Sequence, residues 1–122
     1  MVAAANRRIA LGRWGEEKAV EHLVRHGLQV VERNWRCSIG ELDIVAYDAD
    51  TLVVVEVKTR TSERFGSPAE AVTPDKAARL RQLSAQWLRE HADRPLHVRI
   101  DVVSVLVPAR GPWRIDHLTG VA

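Results

Sequence analysis

The chain has 122 residues, 46% of them hydrophobic and 28% charged, a composition that suits one globular domain with a real core and argues against extensive disorder. No apolar run approaches the roughly 20 residues needed to span a bilayer, and the first ten residues lack the apolar stretch of a secretory signal. With Cys37 as the one cysteine, no internal disulfide or cysteine-based zinc cage can form, so the expectation is a cytoplasmic protein without membrane attachment; a net charge of +2 exerts only a weak general pull on nucleic acid.

In chain order, Arg8 to Arg25 reads as an amphipathic helix, with Gly12, Glu16, Ala19, Val20 and Leu23 on one face and Gly27 closing it. Leu28 to Trp35 is β-rich but alternates poorly. Gly40 to Tyr47 and Thr51 to Thr59 are β-rich runs separated by Asp48, Ala49 and Asp50, which predicts a hairpin. Residues 60–73 carry Thr, Ser, Gly and Pro without a period and read as a loop. Thr73, Pro74 and Asp75 are an N-cap, a first-turn proline and an early acid, opening a helix that runs to about His91. Leu96 to Val107 predicts a long strand, and Trp113 to Leu118 a final one after the Pro108 to Pro112 turn. The order is therefore α-β-β-β-α-β-β in a single α/β domain, with its core in about residues 8–107.

The hairpin carries the chemistry. Strand alternation puts Glu41 and Asp43 on one face of the first run, with Leu42 and Ile44 on the other, and puts Glu56 and Lys58 together on the second. A turn centred between Ala49 and Asp50 sets Asp43 opposite Glu56 and Glu41 opposite Lys58, so all four are expected in one patch. A slip of one residue would separate the carboxylates. Two carboxylates directly opposed across strands repel unless a cation lies between them. Mg²⁺ (or Mn²⁺) suits such a pair, because it favours oxygen ligands and holds to one or two carboxylates while keeping waters. Glu16 sits in phase with the apolar face of the first helix, where an unpaired carboxylate is costly to bury. Its partner is left open between a metal, Lys58 and an arginine at the sheet edge.

Other residues read as structural. His22 and His26 have the i, i+4 spacing of a zinc pair but no third ligand follows, and His91, His97 and His117 form no cluster in the sequence. Asp101 reads as a structural carboxylate, the four tryptophans mainly as core, and Cys37 as a small buried hydrophobe.

The residues Gly12-x-x-Gly15-Glu16, Asn34-Trp35-Arg36, Gly40-Glu41-Leu42-Asp43, Val55-Glu56-Val57-Lys58-Thr59-Arg60, Phe65-Gly66 and Lys76 resemble the bacterial YraN-like family over roughly Gly12 to Val107. That family is similar to the restriction-endonuclease-like PD-(D/E)XK superfamily, and most resembles its archaeal Holliday junction resolvases. The resemblance implies a mixed central sheet flanked by helices. It also implies that Asp43 and Glu56 are the metal-binding acids, that the Val57 carbonyl completes the coordination, that Lys58 is the catalytic lysine, and that Glu16 is the acid borne on the helix. Leu42 stands where the superfamily often has proline. The activity these residues permit is Mg²⁺-dependent hydrolysis of phosphodiester bonds in DNA, including branched or irregular DNA, with Arg60 and Arg64 on flanking phosphates and a homodimer matching paired scissile sites. A nucleic-acid-binding module of the same fold without efficient turnover, and a partner-binding protein, are the alternatives.

Overall fold

The computed structural model describes residues 2–64 and 66–121. Helix α1 (Val2–Arg25) is followed by strands β1 (Gln29–Cys37), β2 (Gly40–Asp48) and β3 (Thr51–Arg60), a 3₁₀ turn (Pro68–Ala71), helix α2 (Pro74–His91), and strands β4 (His97–Leu106) and β5 (Arg114–Leu118). The element order is the expected one. Helix α1 begins at Val2 rather than Arg8, so its outer turns extend beyond the segment whose periodicity is visible. Phe65, part of the loop motif, lies outside the described residues.

The five strands form one mixed sheet in the order β1-β2-β3-β4-β5. Antiparallel pairs join β1 to β2, β2 to β3 and β4 to β5, while β3 and β4 are parallel and are connected through α2. Each face of the sheet buries one helix. Ala19 and Leu23 of α1 pack with Ile44, Ala46, Val53, Val55, Val103 and Val105 on one face. Leu80, Leu83 and Trp87 of α2 pack with Trp35, Leu42, Val45, Leu52, Val54 and Ile100 on the other. Interior strands covered on both faces read as near-continuous apolar runs, which is why β3 and β4 show apolar residues in both registers. Among the described residues no helix is long and apolar enough to cross a membrane.

The β2–β3 register agrees with the expectation: Asp48 pairs with Thr51, Tyr47 with Leu52, and so on to Ile44 with Val55. Ala49 takes the left-handed φ of 52° that the tight turn demands. The ladder ends at Ile44–Val55, and beyond it β2 departs from the expected alternation. Leu42 packs on the α2 face and Ile44 on the α1 face, although residues two apart on a regular strand share a face. The break falls at Asp43, between them. On β1, Asn34 lies between the paired residues Arg33 and Trp35 and has a left-handed φ of 54°, while a register shift between Val30 and Glu32 marks a bulge. These two irregularities explain the poor alternation of that segment.

Candidate functional site

The phase break aims Asp43 at the backbone of β3. Its Oδ2 accepts a hydrogen bond from the Val57 N–H at 2.9 Å, in the place where a regular ladder would offer a β2 carbonyl. In an extended strand the N–H and C=O of one residue point to the same edge, so the Val57 carbonyl faces the same widening gap. Glu56 comes from the adjacent position on β3, close enough for its charge to act on the Asp43 carboxyl. Burial pushes the Asp43 pKa up to about 7, the charge of Glu56 adds to the rise, and Glu16 contributes a smaller electrostatic push against the pull of the Val57 N–H. The neighbouring negative charge makes ionising the buried Asp43 carboxyl costly.

Glu16 reaches the same cleft from α1. Gly15 permits this, because a Cβ there would overlap the Thr59 side chain, so its absence lets α1 lie against β3. Glu16 is 16% exposed, and its Oε1 accepts from Asn34 Nδ2 at 2.9 Å and Arg33 Nε at 3.3 Å. Arg33 is the sheet-edge arginine among the partners left open, and Asn34 joins it. Asp43, Glu16, Glu41, Val57, Thr59, Gly12, Arg13, Ile9 and Arg36 line one cleft of about 490 Å³.

One pairing expected of the hairpin gives way to another, and a different lysine stands beside the acids. Glu41 lies opposite Arg36 of β1 and pairs with it at 3.2 Å, not with Lys58, because the β2–β3 ladder ends before reaching either residue. The lysine against the acidic pair is Lys76, whose Nζ is 3.2 Å from Glu56 Oε2, with Glu56 14% exposed. The Thr73 cap accepts the Lys76 N–H at 3.2 Å and so fixes Lys76 in the first turn of α2, directly above β3. Lys58 follows Glu56 on the same face of β3 and lines a separate cavity of about 290 Å³ with Ser67, Pro68 and Glu70. The four-residue patch of Glu41, Asp43, Glu56 and Lys58 is therefore divided. Arg60 donates from Nη1 to the Gly66 carbonyl at 2.7 Å and from Nη2 to Ser104 Oγ at 3.4 Å, which ties the following loop to the sheet. Arg64 is exposed on that loop.

The histidines, which show no cluster in the sequence, do form one. His117 Nε2 is 2.8 Å from Asp101 Oδ2, and His117 Nδ1 is 3.1 Å from His22 Nε2. The His26 ring lies 4.1 Å from that of His22. An ionised carboxylate only accepts, so His117 carries its proton on Nε2 and, when neutral, offers Nδ1 to the His22 N–H. Asp101 is fully buried and also accepts from Arg99 Nε at 2.9 Å and the Gly120 N–H at 3.0 Å. It is the structural carboxylate expected. No signal in the sequence joins residues 95 positions apart; the parallel β4 and the return of β5 bring them together beside α1. Among the described residues, no group of three or more His, Cys, Asp or Glu side chains is disposed to hold a metal.

Fold and cleft together define a small mixed-sheet α/β protein with a close acidic pair where its central hairpin splays. The chain belongs to the Uncharacterised protein family UPF0102, whose model matches residues 15–105. The UPF0102 protein of Beutenbergia cavernae is 58% identical over 112 residues, covering 92% of this chain and 95% of the relative. The Frankia alni protein is 56% identical, with 91% and 92% covered, and the Streptomyces coelicolor protein 52% identical, with 98% and 94% covered.

Proposed function

We propose that the protein is a Mg²⁺- or Mn²⁺-dependent nuclease that hydrolyses phosphodiester bonds in DNA, acting in the cytoplasm as a homodimer on branched or irregular substrates. The observation that carries this reading is the Asp43–Glu56 pair, two acids brought near each other just past the end of the β2–β3 ladder, with burial and the Glu56 charge raising the Asp43 pKa to about 7.

The donor set is all oxygen and fits a hard divalent ion: Asp43 and Glu56 carboxylates, with the Val57 carbonyl on the same edge. Bound there, the ion would polarise the scissile phosphate and acidify a water. The chain's own residues prepare for this. The Val57 N–H orients the Asp43 carboxylate, and Lys76 holds Glu56 in place. Glu16, fixed by Arg33 and Asn34, sets a third carboxylate on the wall of the cleft, where it can take a proton relayed through water. Lys58, on the Glu56 face of β3, offsets negative charge developing on the phosphate in this reading. Arg60 and Arg64 stand on the segment leaving the site and assist with flanking phosphates.

The placement of Lys58 along a separate cavity favours one alternative, a nucleic-acid-binding module with little turnover. Incubation with duplex, single-stranded and four-way-junction DNA in Mg²⁺, Mn²⁺ or chelator, beside Asp43→Asn and Lys58→Ala, separates the two. The nuclease reading expects metal-dependent cleavage that both variants lose while DNA binding persists. Salt-sensitive binding with no cleavage in either metal would leave the binding module, and neither binding nor cleavage would leave a partner-binding protein.

A further inference from the structure

Two glycines on α1 stand three residues apart and differ in what they do. Gly15 is required by the fold, since a side chain there would strike Thr59. Gly12 is not: an added Cβ would meet nothing within 4 Å. An exposed glycine inside a helix destabilises it relative to alanine, so the protein's own packing gives no reason for its presence. Its position supplies one. Gly12 and Thr59 line both the acidic cleft and a second cleft of about 350 Å³ that continues along α1 past Arg8, Leu11 and Thr61. That second cleft shares Arg8, Leu11 and Thr61 with a groove of about 670 Å³ reaching Arg7 and Ala4. The three form one trough along the outer half of α1, and Gly12 is the low point between its outer arm and Asp43.

The charge along the trough is suited to a polyanion. Glu16 and Glu41 are already paired within the fold, by Arg33 and Asn34 and by Arg36. Arg8 and Arg13, on either side of Gly12, have no carboxylate partner among the described residues. We infer that this trough seats the DNA backbone, with Gly12 as the point where the phosphodiester chain lies against helix α1 on its way to Asp43. The inference rests on the nuclease reading and deepens it: backbone contact at a bare helix surface, flanked by arginines, positions any sequence and reads none.

The test compares Gly12→Ala and Gly12→Leu with the unaltered protein. Both variants should melt at the wild-type temperature or about 3 °C above it, because both residues favour helix over glycine and a Cβ at position 12 meets no neighbour within 4 Å. Affinity for labelled single-stranded and four-way-junction DNA, measured by anisotropy in chelator, should fall several-fold for alanine and about tenfold or more for leucine. Mn²⁺ binding followed by electron paramagnetic resonance should not change. Wild-type DNA affinity in Gly12→Leu would overturn this inference alone. Failure of the unaltered protein to bind either DNA would overturn it together with the nuclease reading, and loss of Mn²⁺ binding in Gly12→Leu would reassign Gly12 to the metal cleft and overturn it too.

Discussion

Lys76 of α2 holds Glu56 of β3 at 3.2 Å, so the fixed positive charge against the acidic pair comes from across the helix–sheet interface and not from the neighbouring strand position. A lysine in the first turn of a helix faces the positive end of the helix dipole, and the Glu56 carboxylate compensates for that placement. Lys76→Met should leave the carboxylates facing each other without a counter-charge. Urea unfolding at pH 8 should show a loss of about 1 kcal/mol, since the pair is only partly buried. If the proposed nuclease reading holds, cleavage should fall with it, and Lys76→Arg should restore most of both. Full activity in Lys76→Met would remove this lysine from the site.

Asp43 predicts a stability profile opposite to that of an ordinary carboxylate. Its pKa rises from 3.8 in the unfolded chain to about 7 in the fold, so the folded state binds the extra proton between those values. Stability from this group is complete below pH 3.8 and is lost as the pH rises through 7. Asp43→Asn keeps the shape and abolishes the repulsion, so at pH 8 it should stabilise the metal-free protein by about 2 kcal/mol, with the gain shrinking as the pH falls toward 5. Mg²⁺ should raise the melting temperature of the wild type and not that of the variant. A destabilised Asp43→Asn at pH 8 would mean that the carboxylate is structural.

Much of this site is legible in the sequence because a tight turn and strand parity fix the hairpin: once Ala49 and Asp50 form the turn, Asp48–Thr51 to Ile44–Val55 follow. The same parity fails past Ile44, because Asn34 adopts a left-handed conformation on the neighbouring strand and the alternation of β2 breaks at Asp43. Neither event has a periodic signature, so Glu41 appears beside Lys58 in the sequence pattern and beside Arg36 in the fold. Glu16 is legible as a carboxylate in need of a partner, since burial demands one, but the choice of Arg33 and Asn34 depends on where β1 passes under α1. Lys76 stands in the family pattern, and only the crossing of α2 over β3 gives it a task.

Gly15 sets how closely α1 approaches β3. Gly15→Ala should force the helix away from Thr59 and destabilise the fold by about 1–3 kcal/mol, the usual range for an overpacked contact. Because Glu16 follows directly, the shift should also loosen its bonds to Arg33 and Asn34. Hydrogen exchange along the middle of α1, compared with Gly12→Ala, checks this: protection should fall in the Gly15 variant and hold in the Gly12 variant.

The His22–His117–Asp101 chain makes the seam between α1 and β5 sensitive to acid. Burial holds the His22 pKa below its usual 6.5, and the neighbouring His26, His117 and Arg25 lower it further. The unfolded chain therefore takes up the proton first, and stability from His22 is present above pH 6.5 and lost as the pH falls below it. This runs against the Asp43 contribution over part of the same range, so the comparison has to be made between variants. His22→Gln should flatten the decline that the wild type shows as the pH falls below 6.5. Asp101 is a different case: burial pushes its pKa up, but the bonds from His117, Arg99 and the Gly120 N–H outweigh that and hold it below the usual carboxylate value. Its stabilisation is present above the unfolded-state pKa of 3.8 and is lost only as the pH falls through the lower folded value. Asp101→Asn should consequently destabilise at neutral pH by about 3 kcal/mol, since it removes the buried charge that Arg99 and His117 share and leaves Arg99 only the more distant Asp48 at 3.4 Å. Matching pH profiles of melting temperature for wild type and His22→Gln would show that the seam does not titrate.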